Sequence, residues 1–174
     1  MNIRRVQGLA LMIGAVCLLL AFFVPDTIAL FLGILGIVLL IIGIPAVNTS
    51  QPSGPVGWIG VILIIVAAVI ALGFSIGIFG DTGMEDALIT TSVISGVVGR
   101  IITGWLTIKK QVFSAWLGWA LLAVGVLRIA GLVNLASPAV DTVVTLLETA
   151  VFAGYGIQLF QKNQIITKGE VGLR

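Results

Sequence analysis

Six long apolar segments fill most of this 174-residue chain, and short polar breaks separate them. The segments cover residues 6–24, 27–47, 57–79, 87–108, 112–135 and 139–160. A helix needs about 20 apolar residues to cross the hydrocarbon core of a bilayer, so each segment is long enough to span a membrane. We therefore expect an all-α integral membrane bundle of six transmembrane helices, forming a single transmembrane domain over residues 1–174.

The composition excludes several classes of protein. Hydrophobic residues make up 59% of the chain and charged residues 9%, whereas soluble domains are about 45–50% apolar and about 25% charged. A compact soluble fold of this size cannot bury so much apolar surface. The composition therefore argues against a soluble enzyme, a disordered chain and a nucleic-acid-binding protein.

The breaks between the segments predict three helical hairpins, over residues 6–47, 57–108 and 112–160. The stretch 48–55 predicts a polar cytoplasmic turn, and the acidic stretch 80–86 predicts a loop on the opposite side. Proline and glycine at these breaks interrupt helices for backbone reasons. The hairpins repeat at a period near 50 residues, which hints at an internal repeat.

The placement of the charges predicts the orientation. With the N-terminus inside, the cytoplasmic positions include seven basic residues, Arg4, Arg5, Lys109, Lys110, Lys162, Lys168 and Arg174. The outer positions hold five acids and no basic residue, namely Asp26, Asp81, Glu85, Asp86 and Asp141. Cytoplasmic loops of membrane proteins carry the excess of lysine and arginine. We expect a multi-pass protein of the cell (inner or plasma) membrane with both termini, including the tail 161–174, in the cytoplasm.

Glycines are dense in the apolar segments and are spaced for close helix contact. The candidate helix-packing residues are Gly33, Gly36, Gly43, Gly73, Gly77, Gly96, Gly99, Gly118 and Gly125. Small residues allow helix backbones to approach closely in lipid, where packing drives association. Packing within one bundle is the favoured interpretation, and association with a second copy or with other membrane subunits is the alternative.

Four ionisable residues lie within or beside the apolar segments: Arg100, Arg128, Asp141 and Glu148. Charged groups in a membrane span are costly and need partners. From a rise of about 1.5 Å per residue, Arg128 lies roughly 10 Å and Glu148 roughly 15 Å below the outer surface. We expect a buried Arg128–Glu148 pair, which Arg100 could extend.

Two functions are open for this cluster. It can be a structural clasp that fixes the last hairpin, because a buried ion pair specifies one arrangement without adding much stability. It can also belong to a proton or anion path, since Asp141, Glu148 and Tyr155 recur at seven-residue spacing on one side of a helix. The clasp is the favoured interpretation.

Four tryptophans fall near the predicted cytoplasmic ends of the segments: Trp58, Trp105, Trp116 and Trp119. Their positions are typical of an interfacial aromatic belt. Motifs of hydrolases, metalloproteases and nucleotide-binding enzymes are absent from the sequence, and without histidine a Ser-His triad is impossible. We expect no catalytic residue, no metal site and no cofactor, although a bound lipid is compatible with such a chain.

The hairpin pattern resembles the acid-resistance membrane protein family of the HdeD type. The likeness rests on Arg5, Gly8, Gly14 and Pro25 with Leu32–Ile34 and Ile42–Ile44, and on Trp116, Gly125, Pro138 and Gly154–Gly156 in the last hairpin. The resemblance implies three repeated membrane hairpins and a link to acid-stress tolerance. It assigns no catalytic residue. The acidic middle loop and the pair Arg128 and Glu148 depart from the pattern.

These observations favour a non-catalytic membrane protein that forms an oligomer or serves as an accessory or structural subunit of a membrane complex. A small transporter or proton-handling protein that uses Glu148 with Arg128 and Arg100 is the alternative. The expected partners are membrane lipids and either a second copy or other membrane subunits, and not nucleic acid.

Overall fold

A computed structural model of the chain describes residues 3–51, 53–79, 83–132 and 138–171. These ranges form seven helices and no strand: α1 (Ile3–Leu20), α2 (Asp26–Gly43), α3 (Pro45–Ser50), α4 (Gly54–Ser75), α5 (Glu85–Lys110), α6 (Ala115–Leu132) and α7 (Pro138–Val171). The side chains of residues 130–132, 138, 139, 141 and 162–171 lie outside the described part of the helices. The predicted all-α class is confirmed.

Among the residues whose side chains are described, five helical stretches are long and apolar enough to cross a membrane: Ile3–Leu20, Asp26–Ser50, Gly54–Ser75, Glu85–Lys110 and Thr142–Gln161. The part of α6 whose side chains are described, Ala115–Ile129, is apolar and shorter than these five stretches. Large apolar side chains such as Phe31, Ile62 and Val126 are more than half exposed on the bundle surface. A surface of this kind is stable in lipid and not in water, so the chain has the character of a membrane protein.

The helix ends follow from local chemistry and differ from the predicted segments by a few residues. The second predicted segment ran unbroken to residue 47, but α2 ends at Gly43 because Pro45 cannot donate a backbone hydrogen bond. Helix α5 ends with Lys109 and Lys110. The next residue, Gln111, has a left-handed backbone conformation with a φ of 52°, which stops the helix. Acidic residues in the first turn of α5 and basic residues in its last turn both suit the helix dipole.

The six long helices form a closed ring in the order α1, α7, α6, α5, α4, α2. Helix α1 packs extensively on α2 and α7, and α5 packs extensively on α4 and α6. Helices α6 and α7 make a smaller interface with each other, and α2 and α4 make the smallest one in the ring. Each of the first two predicted hairpins is thus a pair of closely packed helices, whereas α6 and α7 each pack more extensively on another neighbour.

Each of the four large interfaces contains a glycine pair at which two backbones approach. A Cβ atom added at Gly14 would lie 2.9 Å from the Gly36 carbonyl oxygen, and one at Gly118 would lie 2.6 Å from that of Gly104. The other two pairs are Gly60 with Gly99 and Gly8 with Gly156. A Cβ added at Gly99 or Gly156 would lie 2.7 Å from the carbonyl oxygen of its partner. Because no side chain fits between these backbones, the glycines set the spacing of the ring.

The predicted packing glycines divide into three groups. Five of them face a neighbouring helix: Gly36, Gly43, Gly99, Gly118 and Gly125. Gly73 lies under the ring of Phe79, and Gly96 lies under the guanidinium of Arg100 and near Ala67. The structure places the other two elsewhere, since a Cβ added at Gly33 or Gly77 would meet no atom within 4 Å. Gly77 has a φ of 75° and belongs to the turn after α4, where a side chain would be strained.

Candidate functional site: a charged cluster beside a central cavity

The carboxylate of Glu148 on α7 lies between two guanidinium groups. Arg100 on α5 donates from Nε to Oε1 at 2.8 Å and from Nη2 to the same oxygen. Arg128 on α6 reaches Oε2 from Nη2 at 3.4 Å, and the same nitrogen donates to the Thr145 hydroxyl at 3.0 Å. Three helices are therefore joined through one carboxylate.

The cluster lies inside the bundle. The side chains of Arg100, Arg128 and Glu148 are 15%, 28% and 12% exposed. The Arg100 guanidinium lies over Gly96, one turn earlier on α5, so the missing side chain at Gly96 leaves the space that the guanidinium occupies. In a low-dielectric interior an unpaired charge is expensive, and this arrangement gives each charged group an opposite partner.

The structure brings together three of the four charged residues that the sequence singled out, but the closest pair differs from the expected one. The expected principal pair was Arg128 with Glu148, with Arg100 as an extension. Instead, Arg100 makes the closer contact with Glu148, and Arg128 makes the longer one. The side chain of Asp141 lies outside the described residues.

A cavity of about 320 Å³ lies at the centre of the ring, and the charged cluster forms part of its wall. All six long helices contribute to its lining. The residues are Leu18, Ile37, Leu40, Ile41, Ile44, Ile64, Ile65, Ala67, Ala68, Ala71, Ser92, Val93, Arg100, Arg128, Thr145, Glu148, Thr149 and Phe152. A mostly apolar cavity with a few convergent polar groups is typical of a small-molecule site. No sequence pattern predicts this cavity, because its lining residues are scattered over six helices.

A second buried polar group connects α5, α7 and the segment after α3. Gln51 donates from Nε2 to the Thr107 hydroxyl oxygen at 2.9 Å, and Thr107 donates to the Thr103 carbonyl at 2.9 Å. Since the Thr107 proton is engaged there, the Tyr155 hydroxyl is the donor in its 2.7 Å contact with Thr107. Gln51, Thr107 and Tyr155 are all buried.

The predicted polar turn at residues 48–55 is partly folded inward. Its first residues belong to α3, and Asn48 and Gln51 are buried, whereas Thr49, Gly54 and Pro55 are exposed. The Asn48 side chain accepts from the Ser53 hydroxyl, and Gln51 donates to Thr107. A single sequence cannot distinguish a solvated polar turn from one that folds inward.

We expect Thr107→Val to destabilise the protein more than Tyr155→Phe. Tyr155→Phe removes one hydrogen bond while Thr107 still accepts from Gln51, so the loss is about 1 kcal/mol. Thr107→Val leaves two buried donors without an acceptor, and the loss is about 2 kcal/mol. Chemical unfolding of both variants in detergent micelles measures the difference. Equal losses would show that Thr107 is not the shared acceptor.

The four predicted interfacial tryptophans lie on the bundle surface, where Trp58, Trp105, Trp116 and Trp119 are 43–63% exposed. They belong to the first turns of α4 and α6 and the last turns of α5. The Lys109 ammonium lies 4.7 Å from the centre of the Trp105 ring, which is a cation–π contact.

The chain matches no protein-family model, no curated protein sequence and no solved structure.

Proposed function

We propose that the chain is a non-catalytic, multi-pass membrane protein whose charged cluster is a structural clasp. The observation that carries this proposal is the position of Glu148 between Arg100 and Arg128. Both carboxylate oxygens face guanidinium nitrogens, so this group ties α5, α6 and α7 together. A group held in this way is suited to fixing an arrangement of helices and poorly suited to general acid–base catalysis.

In this proposal the protein lies in the inner or plasma membrane of the cell. All six long helices cross it as three hairpins, and both termini are in the cytoplasm. Single cysteines at Asp86 and Lys110, in a Cys17→Ser background, test the orientation, because both side chains are exposed at opposite ends of α5. A membrane-impermeant maleimide should label Asp86→Cys in intact cells and Lys110→Cys after permeabilisation alone. Labelling of both in intact cells would contradict the orientation.

We further propose that the protein associates with a second copy or with other membrane subunits. Helix α2 supports this, because it is the least buried of the five candidate spans and exposes Ile28, Leu30 and Phe31. Native mass measurement after extraction in mild detergent should detect a homo-oligomer or stoichiometric partners. A lone monomer would contradict the proposal. From the resemblance to the HdeD type we also propose a role in acid-stress tolerance, which the acid survival of a deletion strain tests.

The central cavity favours a second candidate, a small transporter or proton-handling protein. Glu148 lines the cavity together with Arg100 and Arg128, so a solute in the cavity would meet charged groups. Reconstituted vesicles should then show a pH-driven flux that Glu148→Gln abolishes while the protein stays folded. Absence of flux in the wild-type vesicles would exclude this candidate and leave the clasp.

A further inference from the structure

The central cavity has two chemically different walls. The lining residues of α1, α2 and α4 are all apolar, for example Ile37, Ile41 and Ala68. The polar lining residues come from α5, α6 and α7 on the other side: Ser92, Arg100, Arg128, Thr145, Glu148 and Thr149. A ligand that matches this cavity has an apolar body and a polar group at one side.

Helices α2 and α4 both line the cavity and make the smallest interface in the ring, so we place the opening of the cavity between them. The lining residues Ile41 and Ala68 are half-buried and Ala71 is exposed, while their neighbours Ile42 and Val69 are 46% and 48% exposed. The surface around this opening is apolar, so in a membrane the opening faces hydrocarbon and admits molecules dissolved there.

Arg100, one of the lining residues, has a hydrogen-bond donor that Glu148 does not engage. Its Nε and Nη2 atoms bind Glu148, but Nη1, which lies over Gly96, has no hydrogen-bond partner among the residues that the structure describes. The hydroxyls of two other lining residues already donate to backbone carbonyls, Ser92 to Ala67 and Thr149 to Thr145. The Nη1 group therefore has capacity for an acceptor from a bound molecule.

The route of entry selects the kind of acceptor. A molecule that reaches Nη1 from hydrocarbon arrives without its water shell, and carrying an anionic head group through hydrocarbon is costly. A neutral carbonyl oxygen accepts the hydrogen bond without that cost. We infer that the central cavity binds a neutral, membrane-dissolved molecule with an apolar chain or ring and a carbonyl oxygen, which Arg100 holds through Nη1.

Three probes with the same chain and different heads test this inference: methyl dodecanoate, dodecanoate and dodecane. The wild-type protein in nanodiscs is titrated with each, and binding is measured by competition against methyl dodecanoate labelled with ¹³C at its carbonyl. We expect saturable binding of the ester and a shift of its carbonyl resonance, with dodecanoate and dodecane at least about tenfold weaker. Equal affinity for ester and alkane, or strongest binding of dodecanoate, would overturn the assignment of the acceptor.

A matched pair of variants on α4 tests the location. Ala68→Phe places a large ring in the cavity beside the opening, whereas Val69→Phe places the same ring on the exposed surface one residue later. Ala68→Phe should weaken ester binding at least about tenfold, and Val69→Phe should leave it unchanged. Equal binding by the two variants would show that the ester does not enter this cavity. If Ala68→Phe does not fold, Ile41→Phe with Ile42→Phe gives the same comparison on α2.

The inference rests on the proposed membrane placement in one respect, namely that the opening faces lipid. The two proposals fail separately. Cysteine labelling decides the orientation without any ligand, and ester binding to the purified protein is independent of which terminus is cytoplasmic.

Discussion

Replacing Glu148 with leucine should lower the free energy of unfolding by about 3–5 kcal/mol, because removing one partner of a buried ion pair leaves uncompensated charge. Leucine keeps most of the side-chain volume, so the loss comes from the missing carboxylate and not from a new void. Arg100 would lose both of its contacts to Glu148, and Arg128 would lose one. Reversible unfolding in detergent micelles or bicelles, followed by circular dichroism, measures the change.

Two companion variants make this result specific. Asp26→Leu removes a carboxylate from the exposed first turn of α2, where the interaction with the helix dipole contributes about 0.3–1 kcal/mol. The double variant Arg100→Met, Glu148→Leu removes the principal pair together, and we expect it to be more stable than Glu148→Leu alone. If Glu148→Leu costs no more than Asp26→Leu, the cluster is not a clasp. If the double variant is the less stable one, Arg100 contributes through packing and not through its charge.

The clasp and the ligand site use different parts of one side chain. Arg100 binds Glu148 through Nε and Nη2, and the inferred ligand contact uses Nη1. A ligand that accepts from Nη1 would therefore leave the clasp in place. The position of the guanidinium depends on Gly96, since a Cβ at this residue would collide with it. One glycine of the predicted packing set thus makes room for a charged side chain, in addition to its close approach to Ala67 on α4.

The sequence predicted the helical class and the charged residues because both depend on local composition. Long apolar segments need no partner to be recognised, and Arg100, Arg128 and Glu148 are conspicuous against so apolar a background. Which arginine lies closer to Glu148 depends on how α5, α6 and α7 pack around one another, and that is not encoded in the spacing along any one helix.

The features that the sequence did not reveal all arise from contacts between distant segments. Gln51 meets Thr107 across 56 residues and Tyr155 meets Thr107 across 48. The cavity has the same origin, because its walls come from six helices. Among the glycines, sequence spacing found Gly36, Gly99 and Gly118 but not their backbone partners Gly14, Gly60 and Gly104 as packing residues. Small residues can be counted along a helix, but which of them face another glycine depends on the crossing point of two helices.

The second large effect is expected at the crossing point of α5 and α6. Gly118→Val should lower the free energy of unfolding by about 3 kcal/mol, at the upper end for overpacking, because the neighbours of the added Cβ include backbone that cannot rotate away. These neighbours are the Gly104 carbonyl oxygen at 2.6 Å and the Ile108 nitrogen at 3.1 Å.

Gly33→Val is the matched control, since it makes the same substitution within α2 where a Cβ meets nothing within 4 Å. A valine there should change the free energy of unfolding by no more than a few tenths of a kcal/mol, because valine is only slightly better than glycine in helix propensity. Both variants are compared by unfolding in the same detergent at a protein concentration where the wild type is monomeric, so that association through α2 does not contribute. A larger loss for Gly33→Val than for Gly118→Val would mean that α5 and α6 do not cross at Gly104 and Gly118. The close backbone contact at that crossing would then not be part of the folded protein, and the ring order through α5 and α6 would need another basis.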